Sequence, residues 1–280
     1  MRIVDSHHHV WDLAVRDQDW ITGDALAPLR RDFTLEELEP AARAAGVEAT
    51  VVVQTITVAE ETPELLALAT GDNLVAGVVG WTDLTVPGVS DALAALRELP
   101  GGDRLVGIRH QVQGEPDPRW LLRQDVLRGL SAVAAAGLVY ELLVLPHQLP
   151  AACAVAELRP ELTFVLDHLG KPPIASGEPG SWAEDARRLA ALPNTVCKLS
   201  GMITEADWDT WTTAALAPYA DTVLDAFGPD RVMFGSDWPV CRLAGSYTQV
   251  VETALALTGS LAPDERAAVF AGTATRVYGL

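Results

Sequence analysis

A chain of 280 residues, 49% hydrophobic and 21% charged, has the composition of a globular protein with a large core. Its formal net charge of −18 sets up long-range repulsion against nucleic acid and anionic membranes, so neither is an expected partner. No apolar run approaches the ~20 residues that span a bilayer, and no basic amino-terminal region leads into a long apolar stretch, so a cytoplasmic location is expected.

The first strand is expected over residues 2–7, running into Asp5-Ser6-His7-His8-His9. Strand alternation would put Asp5, His7 and His9 on one face and His8 on the other. Two imidazoles two residues apart at a strand end can hold one metal ion or one substrate oxygen. A purification tag is a poor account of the run, which is short and lies between an apolar strand and Trp11-Asp12. The following stretch to Thr34, with Trp11, Trp20, Pro28, Arg30 and Arg31, reads as one long loop.

From Thr34 a capping box, Thr34-Leu35-Glu36-Glu37, opens a helix that ends near Gly46. The next strands are expected at 49–54, 74–80, 105–109, 138–143, 163–167, 195–199 and 231–235, short runs rich in Val, Ile and Leu. Helical patterns fall between them. One starts at Thr62-Pro63 and one covers 91–99 behind a Ser90 cap; others cover 119–136, 147–158, 181–191, 207–226 and 247–257. Two more, 263–270 and 273–278, close the carboxyl end. Eight strands alternating with helices predict a single (β/α)8 barrel domain over 1–280, with extra carboxyl-terminal helices. No glycine-rich dinucleotide turn supports an open doubly wound sheet. Cys153, Cys197 and Cys241 are widely spaced and odd in number, which fits reduced thiols.

In such a barrel functional residues belong at the carboxyl ends of the strands. There the sequence places His7 and His9, Gln54, Trp81, Arg109-His110, Glu141, Asp167-His168 with Lys171, Lys198 with Ser200, and Asp237-Trp238. Blander roles suit several neighbours. His8 reads as a core histidine, His147 as a helix-start residue, Glu141 as a braced barrel carboxylate and Lys198, next to Cys197, as a partner for some barrel carboxylate. Trp20, Trp120, Trp182, Trp208 and Trp211 read first as packing residues.

Three motifs carry a resemblance: Asp5-x-His7-x-His9, Asp167-His168-x-Gly170-Lys171-Pro172 and Gly235-Ser236-Asp237-Trp238-Pro239. Pro28–Phe33, Gly107-Ile108-Arg109-His110 and Lys198-Leu199-Ser200-Gly201 add to it. In that order the chain resembles the amidohydrolase superfamily, and within it the sugar-acid lactonases and pyrone-dicarboxylate lactonase. The resemblance implies a hydrolytic barrel that opens a small lactone, as a monomer or homodimer. Larger metal-rich members add a Lys or carboxylate from strand four and a His from strand five to hold two metals. Arg109-His110 and Glu141 stand at those places, so one ion at most is expected. Either no metal is required, or His7, His9, His168 and Asp237 hold one zinc. Asp237 is the expected general base, and His7, His9 and His168 polarise the carbonyl. Asp5 is free on this reading to orient a histidine. Arg109, His110, Lys171, Gln54, Trp81, Ser200 and Trp238 are the expected substrate contacts. A zinc-dependent decarboxylase of the same superfamily and a non-catalytic binding barrel are the alternatives.

Overall fold

In a computed structural model, residues 1–280 form a parallel sheet of eight strands in the order β1 to β8, with helices between them. The strands are β1 (Ile3–His8), β2 (Val47–Val53), β3 (Val75–Gly80), β4 (Leu105–His110), β5 (Val139–Leu142), β6 (Phe164–Leu166), β7 (Thr195–Leu199) and β8 (Val232–Phe234). The sheet curls until β1 meets the end of β8. Asp237 N–H donates to His7 O at 2.8 Å, and His8 bridges Trp238 in parallel register. This is the predicted (β/α)8 barrel.

Strand parity builds two cores. Val51, Val53, Val79, Val139, Val165, Val196 and Met233 point inward and fill the barrel with Val4. Their neighbours Val52, Val78, Ile108, Tyr140, Leu142, Phe164, Leu166, Cys197, Val232 and Phe234 point outward beneath the helices. Both faces are buried, which is why the strands read as continuous apolar runs. Two residues further along β5, β6 and β7, the same parity turns Glu141, Asp167 and Lys198 inward.

The outer layer consists of α1 (Leu35–Ala44), α2 (Glu61–Gly71), α3 (Val89–Arg97), α4 (Gln124–Ala135), α5 (Leu149–Leu158), α6 (Trp182–Ala190), α7 (Met202–Glu205), α8 (Thr213–Phe227) and α9 (Tyr247–Leu257). Then α10 (Pro263–Ala267), a π-helical turn (Ala268–Gly272) and α11 (Thr273–Tyr278) fold under the barrel. They supply Ala271, Ala274 and Tyr278 to its inner core. No helix is long and apolar enough to cross a membrane.

Some local expectations fail for identifiable reasons. The capping box does not form: the Thr34 hydroxyl accepts no backbone N–H, and the Glu37 carboxylate bonds with Arg31 at 2.7 Å and with Arg242. Ser90 lies inside α3, which starts behind Gly88. The helix expected over 119–136 divides at Arg123, whose ψ of 141° is extended. That expected over 207–226 begins only at Thr213, capped by the Thr212 hydroxyl. The short α7 lies ahead of it. On β1 the register shifts between Asp5 and His8. Asp5 therefore does not share a face with His7. It accepts from Ser236 N–H at 2.8 Å and Tyr247 O–H at 2.9 Å, bonding β1 to β8 and α9 instead of orienting an imidazole.

Candidate active site

Beyond the strand ends the backbone takes up strained conformations where the chemical side chains sit. His168, Leu169, Lys171 and Asp237 all have positive φ, between 51° and 57°. Such geometry persists in non-glycine residues only where the surroundings enforce it, and it clusters at functional sites. Two glycines make room. A Cβ on Gly235 would lie 2.8 Å from His7 Cβ, and one on Gly201 would lie 2.7 Å from His168 Nδ1.

Around Asp237 three imidazoles converge. Its Oδ1 lies 3.5 Å from His9 Nε2, 3.8 Å from His7 Nε2 and 3.8 Å from His168 Nε2. His7 and His9 meet edge-on, their Nε2 atoms 3.2 Å apart. The second nitrogen of each ring has its own partner. His9 Nδ1 is 2.7 Å from Val53 O, an acceptor only, so that nitrogen carries the proton. His168 Nδ1 is 2.9 Å from Ser200 Oγ. His7 lies deeper, with Arg109 Nη1 3.2 Å from Nε2 and Lys198 Nζ 3.0 Å from Nδ1.

Burial and charge set the protonation states. Burial first, then the Lys198 ammonium, pushes His7 well below the ordinary imidazole value, although Asp167 pulls the other way. Burial lowers His168 to about 4 despite the opposing pull of Asp237 and Asp167. Burial pushes Asp237 up, but the facing His168 and His9 rings with Lys171 outweigh it and hold the carboxyl below the usual range. At neutral pH Asp237 is thus a carboxylate beside neutral His7 and His168.

Such a set is rich in lone pairs and short of protons. With its Nδ1 hydrogen on Val53, neutral His9 presents a lone pair to the Asp237 oxygen. A cation between them, a proton or a metal ion, turns that contact from repulsive to attractive. Ligand atoms of His7, His168 and Asp237 all lie within 4.8 Å of one another. The donor set of imidazole nitrogens and one carboxylate oxygen fits a zinc-like divalent ion. His7 offers its Nε2 only in exchange for its contact with Arg109.

A cavity of ≈ 250 Å³ opens above this cluster, with His9, Arg109, His168, Lys171 and Asp237 on its floor and walls. The remaining wall includes Trp20, Trp208, Gln111, Gln113, Thr55, Thr204 and Glu205. Lys171 Nζ stands 3.4 Å from Glu205. A larger groove of ≈ 380 Å³, along α1 and α2, is lined by Val10, Trp11, Phe33, Leu65 and Leu68. Its one buried carboxylate, Glu61, is already bonded to Thr55 and Ile56, so no chemistry converges there.

Of the expected substrate contacts, Arg109 and Lys171 reach this cavity and five residues do not line it. Gln54 is wholly buried and braces Arg109, accepting from Nε at 3.1 Å and Nη2 at 3.0 Å. Ser200 supports His168. Trp81 Nε1 donates to His110 Nδ1 at 3.0 Å, and His110 Nε2 pairs with Glu115 at 2.7 Å while its ring stacks on Trp120. That chain ties loops to one another outside the cavity. Trp238 packs edge-on against Phe33. Conversely, Trp20 and Trp208, read first as packing residues, stand in the cavity wall. Gln111 and Gln113 were not singled out; their place just past the Arg109-His110 strand end was the available signal. His8, bonded to Thr50 Oγ1 at 2.9 Å, is the core histidine expected. Lys198 pairs with a barrel carboxylate as expected, and the structure shows it to be Glu141, at 2.7 Å.

Barrel, strand-end imidazoles and the Asp237 carboxylate together define a hydrolase-type (β/α)8 protein. The chain belongs to the amidohydrolase family, whose model matches residues 4–280. It is 40% identical to an L-fucono-1,5-lactonase of Burkholderia multivorans, over 99% of this chain and 96% of that one. A second L-fucono-1,5-lactonase, from Burkholderia ambifaria, is 39% identical over 98% of this chain and 94% of its own. A solved amidohydrolase from Burkholderia multivorans, with bound zinc, superposes with a TM-score of 0.93 at 38% identity and full coverage of both chains.

Proposed function

We propose that this protein hydrolyses a sugar-derived 1,5-lactone of the L-fuconolactone kind to its open-chain acid. The observation that carries the reading is the Asp237 carboxylate, ringed by three imidazoles on the floor of a sugar-sized cavity, in a chain matching the fuconolactonases end to end.

Asp237 Oδ takes a proton from water as the water oxygen bonds to the lactone carbonyl carbon. The tetrahedral centre then collapses, the bond from the carbonyl carbon to the ring oxygen breaks, and Asp237 returns the proton to that oxygen. Arg109 and Lys171 are the cations facing the cavity. They compensate charge on the carbonyl oxygen and on the product carboxylate. Gln111, Gln113 and Thr204 present hydrogen-bonding groups to ring hydroxyls, while Trp20 and Trp208 offer flat walls to the sugar faces. His9, with its proton on Val53, polarises the carbonyl only as an imidazolium or through an ion. His9, His168, Asp237 and His7 would hold a zinc ion, which when bound supplies Lewis acidity to the carbonyl oxygen and acidifies water.

Titration of released acid at constant pH tests the proposal. Addition of L-fucono-1,5-lactone is expected to release one proton equivalent per lactone, with acyclic esters inert. Acid release from acyclic esters alone, or from neither, would overturn it.

A further inference from the structure

The barrel holds two ligand sets that share His7. The upper set is His7, His168 and Asp237; a lower one joins His7 to Glu141 and Asp167, with ligand atoms again within 4.8 Å of one another and every residue buried. The lower set already surrounds a cation. Lys198 Nζ lies 2.7 Å from Glu141 Oε1, 3.2 Å from Asp167 Oδ1 and 3.0 Å from His7 Nδ1.

We propose that the Lys198 ammonium is a built-in cation that fills this lower ligand set and thereby restricts the barrel to the upper one for metal binding. Strand parity delivers Lys198 to the spot, directly above the inward Val196 on β7. Below it, Tyr278 of α11 donates its hydroxyl to Glu141, and its ring lies 5.8 Å from Nζ. To one side Arg109 Nη1 takes the other Asp167 oxygen at 3.0 Å. The ammonium is wholly buried and hemmed in, so it has no solvent to swing into. Two further details mark the lower set as built around a central charge. Glu141 Oε2 is buried without a hydrogen-bond partner, and Asp167 Oδ1 has only the Lys198 ammonium at 3.2 Å and the His7 ring at 3.4 Å beside it. Oxygens left so are costly unless a positive charge stands among them.

Removing the amine while keeping the chain length leaves two carboxylates and an imidazole around an empty, cation-sized space. That is a divalent ligand set of ordinary chemistry. An ion-pair partner with a purely bracing role would create no such site.

The test is metal stoichiometry in purified wild type and Lys198→Met, each equilibrated with excess Zn²⁺, desalted and analysed for zinc per chain. The variant is expected to hold one more ion per chain than the wild type. Equal stoichiometry in a folded variant overturns the proposal, as does a wild type that takes up two ions. If Lys198→Met folds poorly, refolding in Zn²⁺ against refolding in chelator decides: rescue by the ion supports the proposal, and lack of rescue overturns it. The count does not depend on the lactone reading, since a chain inert toward lactones still reports it.

Discussion

Two layers of the barrel use the same residue types to opposite ends. At the mouth, His9, His168 and Asp237 face a cavity, and the His9 and His168 Nε2 atoms come no nearer to Asp237 Oδ1 than 3.5 and 3.8 Å. One layer down, Lys198 pairs with Glu141 at 2.7 Å and with Asp167 at 3.2 Å, and none of the three admits solvent to its charged group. His7 joins the two. The contrast teaches that a carboxylate or imidazole at a strand end is not functional by type. What separates the layers is whether the protein itself already satisfies the group.

That contrast can be broken by mutation. Asp237→Asn is expected to lower kcat on lactone by about a thousandfold or more, within the range for removing a general base, with a melting temperature near wild type. Glu141→Ala should do the reverse. It takes the nearer of two carboxylates from the buried Lys198 ammonium and leaves the Tyr278 hydroxyl unpaired, which costs about 3–5 kcal/mol of stability by denaturant melts. A wild-type melt for Glu141→Ala would show that the lower layer is not the brace described here.

Acid sharpens the comparison. Asp237 is held below the usual carboxylate range and His168 stays neutral down to about 4. Neither group should therefore contribute an acid limb to kcat/KM near 6.5, where an ordinary histidine would break it. Stability behaves differently. His168 and His8, the latter lowered to about 3 by burial, take up protons in the unfolded chain near 6.5 but not in the folded one. Stability is full above that pH and falls on acidification toward 4, by on the order of a few kcal/mol. An activity break at pH 6–7 that His168→Asn removes would contradict the assigned charge states.

The smallest effect expected is at the cavity wall. Trp208→Ala should raise KM by about tenfold, the loss of roughly 1.4 kcal/mol of uniform binding, while kcat changes little. Steady-state kinetics that show an unchanged KM would remove Trp208 from substrate contact.

The fold was legible because parity and helix period are local properties: Val51, Val53, Val139, Val165 and Val196 announce a two-faced parallel strand set by themselves. The strand-end placement of His7, His9, His168 and Asp237 followed from it. Asp5 was misplaced because a register shift on β1 leaves no trace in a pattern of alternation. Gln54, Ser200, Trp81 and His110 sit at the right strand ends, yet their partners come from other strands and loops, such as Arg109, His168 and Glu115. Nothing along one stretch of chain tells a residue that meets substrate from one that supports its neighbour. Trp20 and Trp208 were undervalued for the complementary reason. They sit on loops, whose paths depend on tertiary packing that periodicity does not encode.

The central claim is that the mouth, not the sealed layer or the groove along α1 and α2, is where the lactone reacts. A crystal structure of Asp237→Asn with bound L-fucono-1,5-lactone tests it most directly. The account predicts the carbonyl carbon near the residue 237 side chain at ~3.5 Å, allowing for one intervening water, with the ring between Trp20 and Trp208. A lactone seated instead against Val10, Phe33 and Leu65 would contradict it.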